Sequence, residues 1–269
     1  MHRSVAVVVL ALAAGVLAAP PASVRAEGPG AATPKGGVFH EVVDCRDDAE
    51  AKSLLEALDK ALESKDEAKA VEALKAFFTK RHKDFPAELK KLLTDRRLPV
   101  AAAAAEALGS QGDKTSIPLL VRIAAADTKD KGFYKDAPVK AAAVEALGRL
   151  GDVKSFKVII DLAEANRIEP TVRGQHQKLI VKACVRYFGL TKAKGSVSYL
   201  IDEVDQPVPK DPNSGTNPGE EYWKARHDTW VVIRPDVIWA LKEITGLEHE
   251  NGRRWKKWFD EEGKKAGMK

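Results

Sequence analysis

The sequence predicts an all-α chain: a right-handed α-solenoid of about five helical hairpins behind an N-terminal capping helix. Three observations predict it. The first is a doubled stretch. Shifted by 39, residues 99–124 of the 269-residue chain fall on residues 138–163, with 13 of the 26 aligned positions identical. Pro99, Glu106, Leu108, Gly109 and Asp113 keep register with Pro138, Glu145, Leu147, Gly148 and Asp152, so abundant alanine alone does not make the match. The second is apolar spacing. Ala101, Ala104, Ala105 and Leu108 share one helix face, as do Ile117, Leu120, Val121 and Ala124 in the next helix. The second copy repeats the latter set as Phe156, Ile159, Ile160 and Ala163. The third is punctuation: Gly109 is expected to stop the first helix and Asp113 to cap the second. A repeat of about 40 residues made of two helices is the mark of a solenoid, because one hairpin cannot bury its own apolar face.

Further copies follow from this template. A shift of 41 carries the second copy onto a third, with Ala183, Cys184, Val185 and Gly189 in the first helix and Val197, Leu200, Ile201 and Val204 in the second. A fourth is expected over residues 235–263, where Ala240, Glu243 and Gly246 match the pattern and Pro235 opens the helix. A weaker copy precedes the doubled stretch, with residues 71–77 in one helix and 86–93 in the next. Leu54, Leu55, Leu58 and Leu62 give residues 49–63 one apolar face, which suits a capping helix.

The chain is set to begin with a leader. A basic start at Arg3, a continuous apolar run over residues 5–19 and the small-x-small site Val24-Arg25-Ala26 read as a signal peptide, residues 1–26. The run is too short to span a bilayer, which takes ~20 apolar residues. Glu27 would open the mature chain, and residues 27–48 read as a flexible N-terminal segment with an apolar patch at 38–43. Residues 49–269 form the repeat domain. The protein is then expected in the periplasm or secreted, with no transmembrane segment in the mature chain, and monomeric. The formal charge is +5; losing Arg3 and Arg25 brings it to +3, with charges interspersed on helix faces. Export permits a disulfide, and the sequence leaves open whether Cys45 and Cys184 pair or Cys184 is a buried thiol.

The unit PVKAAAVEALGRLGDVKSFKVIIDL resembles a HEAT or armadillo-type repeat, with its turn aspartates Asp113 and Asp152 and the basic Lys140 near a helix start. The resemblance spans about residues 66–265; Ala101 stands in place of the basic residue and Ala193 in place of the aspartate. The ending Ile-Thr-Gly followed by Trp255 and Trp258 is similar to that of exported bacterial HEAT-repeat proteins. What the resemblance implies is a curved, non-catalytic scaffold whose second helices line the concave side and which holds protein, peptide or occasionally nucleic acid. A HEAT-type cofactor-handling, lyase-like accessory is the third class.

The loops supply the candidate site. Turns inside a repeat are short, whereas those between repeats are long: residues 126–136, 166–175 and above all the insert 205–234. In a right-handed stack these emerge along one edge, where insertions carry function. The insert holds Pro207, Pro209, Pro212 and Pro218, which exclude helix there, and then Tyr222, Trp223, Lys224, Arg226 and Trp230. Aromatic and arginine side chains are the usual anchors of binding hot spots, so these five are the candidate partner-binding residues. The same composition serves a seal between the third and fourth hairpins. At the C-terminus, Trp255, Trp258 and Phe259 form one apolar stripe, as a terminal cap needs. Lys178, Lys182 and Arg186 share a helix face and are the basis for a nucleic-acid or other polyanion alternative. No catalytic, cofactor-binding or metal-ligating constellation is found: six scattered histidines, no HExxH, no paired cysteines with zinc spacing and no phosphate-binding glycine loop. The expected function is therefore non-catalytic recognition of a protein or peptide in the cell envelope.

Overall fold

The computed structural model describes residues 41–126, 136–168, 175–209, 211 and 213–269, and only the backbone of 168 and 175–177. The leader, the linker up to residue 40 and the middles of the loops 126–136 and 166–175 lie outside the described residues, and so does Pro212 of the insert.

Eleven α-helices follow one another among the described residues, packed in sequence as hairpins. The first, α1 (Asp48–Glu63), starts where Asp47 accepts a hydrogen bond from the Glu50 amide, a side-chain N-cap. It packs on α2 (Glu67–Thr79), which is followed in the chain by α3 (Phe85–Leu92). Then come the two clear copies: α4 (Leu98–Gln111) with α5 (Ile117–Ala125), and α6 (Ala137–Arg149) with α7 (Phe156–Ile168). The third hairpin is α8 (Gln175–Leu190) with the short α9 (Val197–Asp202). The fourth joins α10 (Glu220–Thr245) to α11 (Gly252–Trp258), which runs into a π-helical turn, Phe259–Gly263. The first helices α2, α4, α6, α8 and α10 pack side by side as one row, and each second helix lies against the first helix of the next hairpin: α3 on α4, α5 on α6, α7 on α8 and α9 on α10.

The capping and punctuation differ in detail from the expectation. Gly109 does not stop α4; the helix runs on to Gln111, and the left-handed C-terminal residue is Gly112, with φ of 72°. Gly151 does the same after α6. What Gly109 supplies is closeness: a Cβ there would lie 2.7 Å from Ala146 Cα of the neighbouring first helix. Two helices so close leave no room for side chains between them, which explains the alanines. Gly109→Ala should therefore destabilise the fold by about 1–3 kcal/mol even though alanine favours helix by about 1 kcal/mol over glycine. A thermal melt checks this, and an unchanged or raised midpoint would refute the close approach.

Asp113 caps the turn into α5 as expected and does more. Its carboxylate accepts from the Thr115 amide at 3.0 Å, the Thr115 hydroxyl at 2.7 Å, the Ser116 hydroxyl at 3.0 Å and the Lys90 ammonium of the preceding hairpin at 2.9 Å. Burial pushes its pKa up, but these hydrogen bonds prevail and hold it down at about 2. A carboxyl lowered from its ordinary value near ~4 adds stability above that pH, and the gain is lost as pH falls through about 2. In acid titrations of the unfolding midpoint, Asp113→Asn should remove a drop worth about 2 kcal/mol between those limits; a wild-type slope in the variant would count against it. Asp152 is more deeply buried than Asp113, yet it uses Oδ1 for the Lys154 amide while its Oδ2 has no hydrogen-bond partner.

Two features were not expected. A two-residue parallel bridge joins β1 (Val43–Asp44) to β2 (Lys80–Arg81), so residues 43–47 are held rather than free. Buried Gln111 secures that corner, its amide donating to the carbonyls of Phe77 and Lys80. The second concerns the insert. It is not a loop to residue 234: within it, residues 205–219 lack helix among those described, and α10 begins at Glu220. Pro235 does not open a helix but lies inside α10, whose preceding turns are held from outside by tertiary contacts. Cys45 and Cys184 are both free thiols; Cys184 is fully buried in α8, which raises its pKa, and no bridge joins them.

Candidate functional site

α10 runs 26 residues, twice the usual length of a first helix here, because its first half replaces loop. Glu220 and Glu221 sit in its first turn, where acids favour the helix N-terminus. The half is then fastened to the rest by its buried face. Arg226 donates from Nη2 to Glu203 Oε1 at 3.2 Å and from Nη1 to the carbonyl of Arg167 at 3.1 Å. Glu203, whose side chain is 4% exposed, also takes Arg167 Nη1 at 3.4 Å. Trp230 Nε1 donates to the carbonyl of Val204 at 3.4 Å, which also accepts from Arg234 Nε at 3.2 Å, and the Arg234 guanidinium lies 5.7 Å from the Trp230 ring centre.

The five candidate residues therefore divide. Arg226 and Trp230 face the junction of α7, α9 and α10 and act there as a seal. Lys224 is exposed and makes no ion pair among the described residues. Tyr222 and Trp223 are half-buried and meet edge to face, with ring centres 5.2 Å apart. The Trp223 Nε1 atom is buried without a hydrogen-bond partner. His227, beside them, packs its ring 5.7 Å from that of Trp230. Farther along, Val231 and Val232 are exposed on α10 and Leu179 on α8.

The junction residues Glu203 and Arg167 escaped the sequence reading. Their signal was weak: a base at the end of α7 is an ordinary helix-end charge, and an acid after α9 reads as a solvated surface group. Only the return of α10 over both ends buries them.

The basic row on α8 is not a free cationic face. Lys178 lies 3.9 Å from Asp228, Lys182 3.7 Å from Asp236, and Arg186 bridges Glu145 at 3.1 Å and Asp236 at 3.2 Å. These side chains neutralise acids on the flanking first helices, so a phosphate backbone would have to compete with them. On α4, Glu106 is half-buried beside Glu145, and its carboxyl is raised first by burial and then by that like charge. Among the described residues no three His, Cys, Asp or Glu side chains gather to hold a metal, and no helix is long and apolar enough to cross a membrane.

Residues 51–131 match the family model of HEAT repeats. That span holds α1 to α5, from most of the capping helix through the first clear copy. No curated protein and no solved structure matches the chain. The HEAT region is of a kind that is generally non-catalytic and binds proteins, and the hairpins after it continue the same sequential packing.

Proposed function

We propose that this chain is a non-catalytic protein- or peptide-binding scaffold of the cell envelope, with its contact surface on the first half of α10. The observation that carries the reading is the Tyr222–Trp223 pair, held half-exposed on a helix that Arg226 and Trp230 fix from behind. Rigid aromatic anchors lose little entropy on binding, and the neighbouring Lys224 adds a free cation. The HEAT region at 51–131 supports the scaffold class. The leader-like residues 1–26 support export, and recovery of a mature chain beginning at Glu27 from the cell envelope is its test.

The binding test is a site-specific photo-crosslink. A benzophenone side chain at position 224 should trap one protein. The adduct should vanish when Tyr222 and Trp223 are both changed to Ala with the helical signal and melting midpoint kept. A crosslinker at Lys52, on the capping helix, is the control. Trapping of the same protein from Lys52, or indifference to the double substitution, would move the contact surface elsewhere.

A further inference from the structure

A cleft of about 330 Å³ lies where the C-terminal ends of α4, α6 and α8 come together against β2. Its apolar walls are Val42, Phe78 and Leu190; its polar ones are Arg81, Ser110 and Arg149. Both arginines gather at the last turn of α4. Arg149 Nη1 donates to Ser110 Oγ at 3.3 Å and Nη2 to Glu145 Oε1 at 3.1 Å, which leaves its Nε buried without a hydrogen-bond partner. The Arg81 guanidinium carbon is 4.0 Å from the point a Gly112 Cβ would occupy, and Arg81 has no carboxylate partner among the described residues. Gly112 and Gly151 line the cleft with bare backbone, since both take a left-handed φ and carry no side chain.

One cation balanced by Glu145 and a second left unbalanced give this cleft a net positive charge. Cations also suit helix C-termini. That role needs no apolar-walled hollow. Guanidinium groups prefer flat, two-oxygen acceptors. The walls call for an aliphatic or aromatic group beside that acceptor. We propose that the cleft binds the free C-terminal carboxylate of a peptide ending in an apolar residue, Arg81 supplying the charge and Phe78 and Leu190 the apolar wall. The proposal rests on the reading of the chain as a protein- or peptide-binding scaffold, but at a separate surface from α10.

The test uses nuclear magnetic resonance of the ¹⁵N-labelled chain, following the amide signals of Gly109, Gly112 and Gly151. Acetyl-Ala-Ala-Leu with a free carboxylate should shift them saturably. Its C-terminal amide should bind about tenfold more weakly, as the loss of one charge-assisted pair implies. Arg81→Gln, at an exposed position, should give the same tenfold loss with the melting midpoint unchanged. Equal shifts from acid and amide, or from inorganic phosphate at the same concentration, would overturn the proposal, as would indifference to Arg81→Gln. Tyr222→Ala with Trp223→Ala should leave these shifts untouched. The cleft can thus fail while the α10 surface stands, and the reverse.

Discussion

Glu203→Ala should cost the fold about 3–5 kcal/mol, the usual result of removing one partner from a buried charged cluster. Glu203 is the point on which two guanidiniums converge, Arg167 at 3.4 Å and Arg226 at 3.2 Å. Its loss leaves both positive and desolvated. Arg167 keeps Glu164 at 2.6 Å, but Arg226 keeps only the Arg167 carbonyl. The cost therefore falls mainly on α10, whose first half is tied down by Arg226. Two readouts follow. The urea midpoint should drop with little change in slope, and amide exchange should quicken over residues 220–234 before it quickens in α4 or α6. Arg226→Ala should cost less, because Glu203 keeps Arg167. In the double variant the losses should not add, with a coupling of ~0.5–3 kcal/mol. Full additivity would show that the two residues act apart and that α10 is held by packing alone. The effect should also resist added salt, since a pair this buried is poorly screened.

This junction marks where the sequence stops being legible. The doubled stretch places α4 to α7 well, because repeat register carries long-range information inside a local pattern: two residues 39 apart must play the same part. The third copy is legible for the same reason. The fourth is not. Gly246 set on Gly148 puts Ile244 opposite Gly189, yet a Cβ at Gly189 would strike the Trp239 ring, so the residue of α10 that meets Gly189 is not the one the pattern names. Pro235 misled in the same place. A proline costs an interior helix one hydrogen bond, here the one to the carbonyl of Val231. Val231 is exposed, and water can take that carbonyl, while Val237 and Leu241 are held in the core and Trp230 at the junction. The helix thus runs through a residue that local rules read as its start. The same long-range cause splits the candidate site. Composition gathers Tyr222, Trp223, Lys224, Arg226 and Trp230 in one stretch, and helical rotation then sends Arg226 and Trp230 inward.

Leu147→Ala should lower stability by about 2–5 kcal/mol, the range for emptying a buried leucine site. Leu147 is fully buried in α6, and Leu108, its counterpart 39 residues earlier, is fully buried in α4. The spread in cost for such changes reflects how far neighbours can collapse into the gap. Collapse is limited here from one side: the α4–α6 approach is set by Gly109 against the backbone of Ala146, so these helices are already at contact. The loss should therefore lie in the upper half of the range. Ile160 offers the contrast. Repeat register places it in the core beside Ile159, but Ile159 is the fully buried one and Ile160 only half-buried. A second helix lies against the first helix of the next hairpin, as α7 does on α8, and touches the next second helix less closely than first helices touch each other. Ile160→Ala should accordingly cost clearly less than Leu147→Ala. Thermal or urea unfolding of the two variants decides it. Equal losses would mean that both layers of the stack are packed alike, and the first-helix row would then not be the tight spine inferred from Gly109.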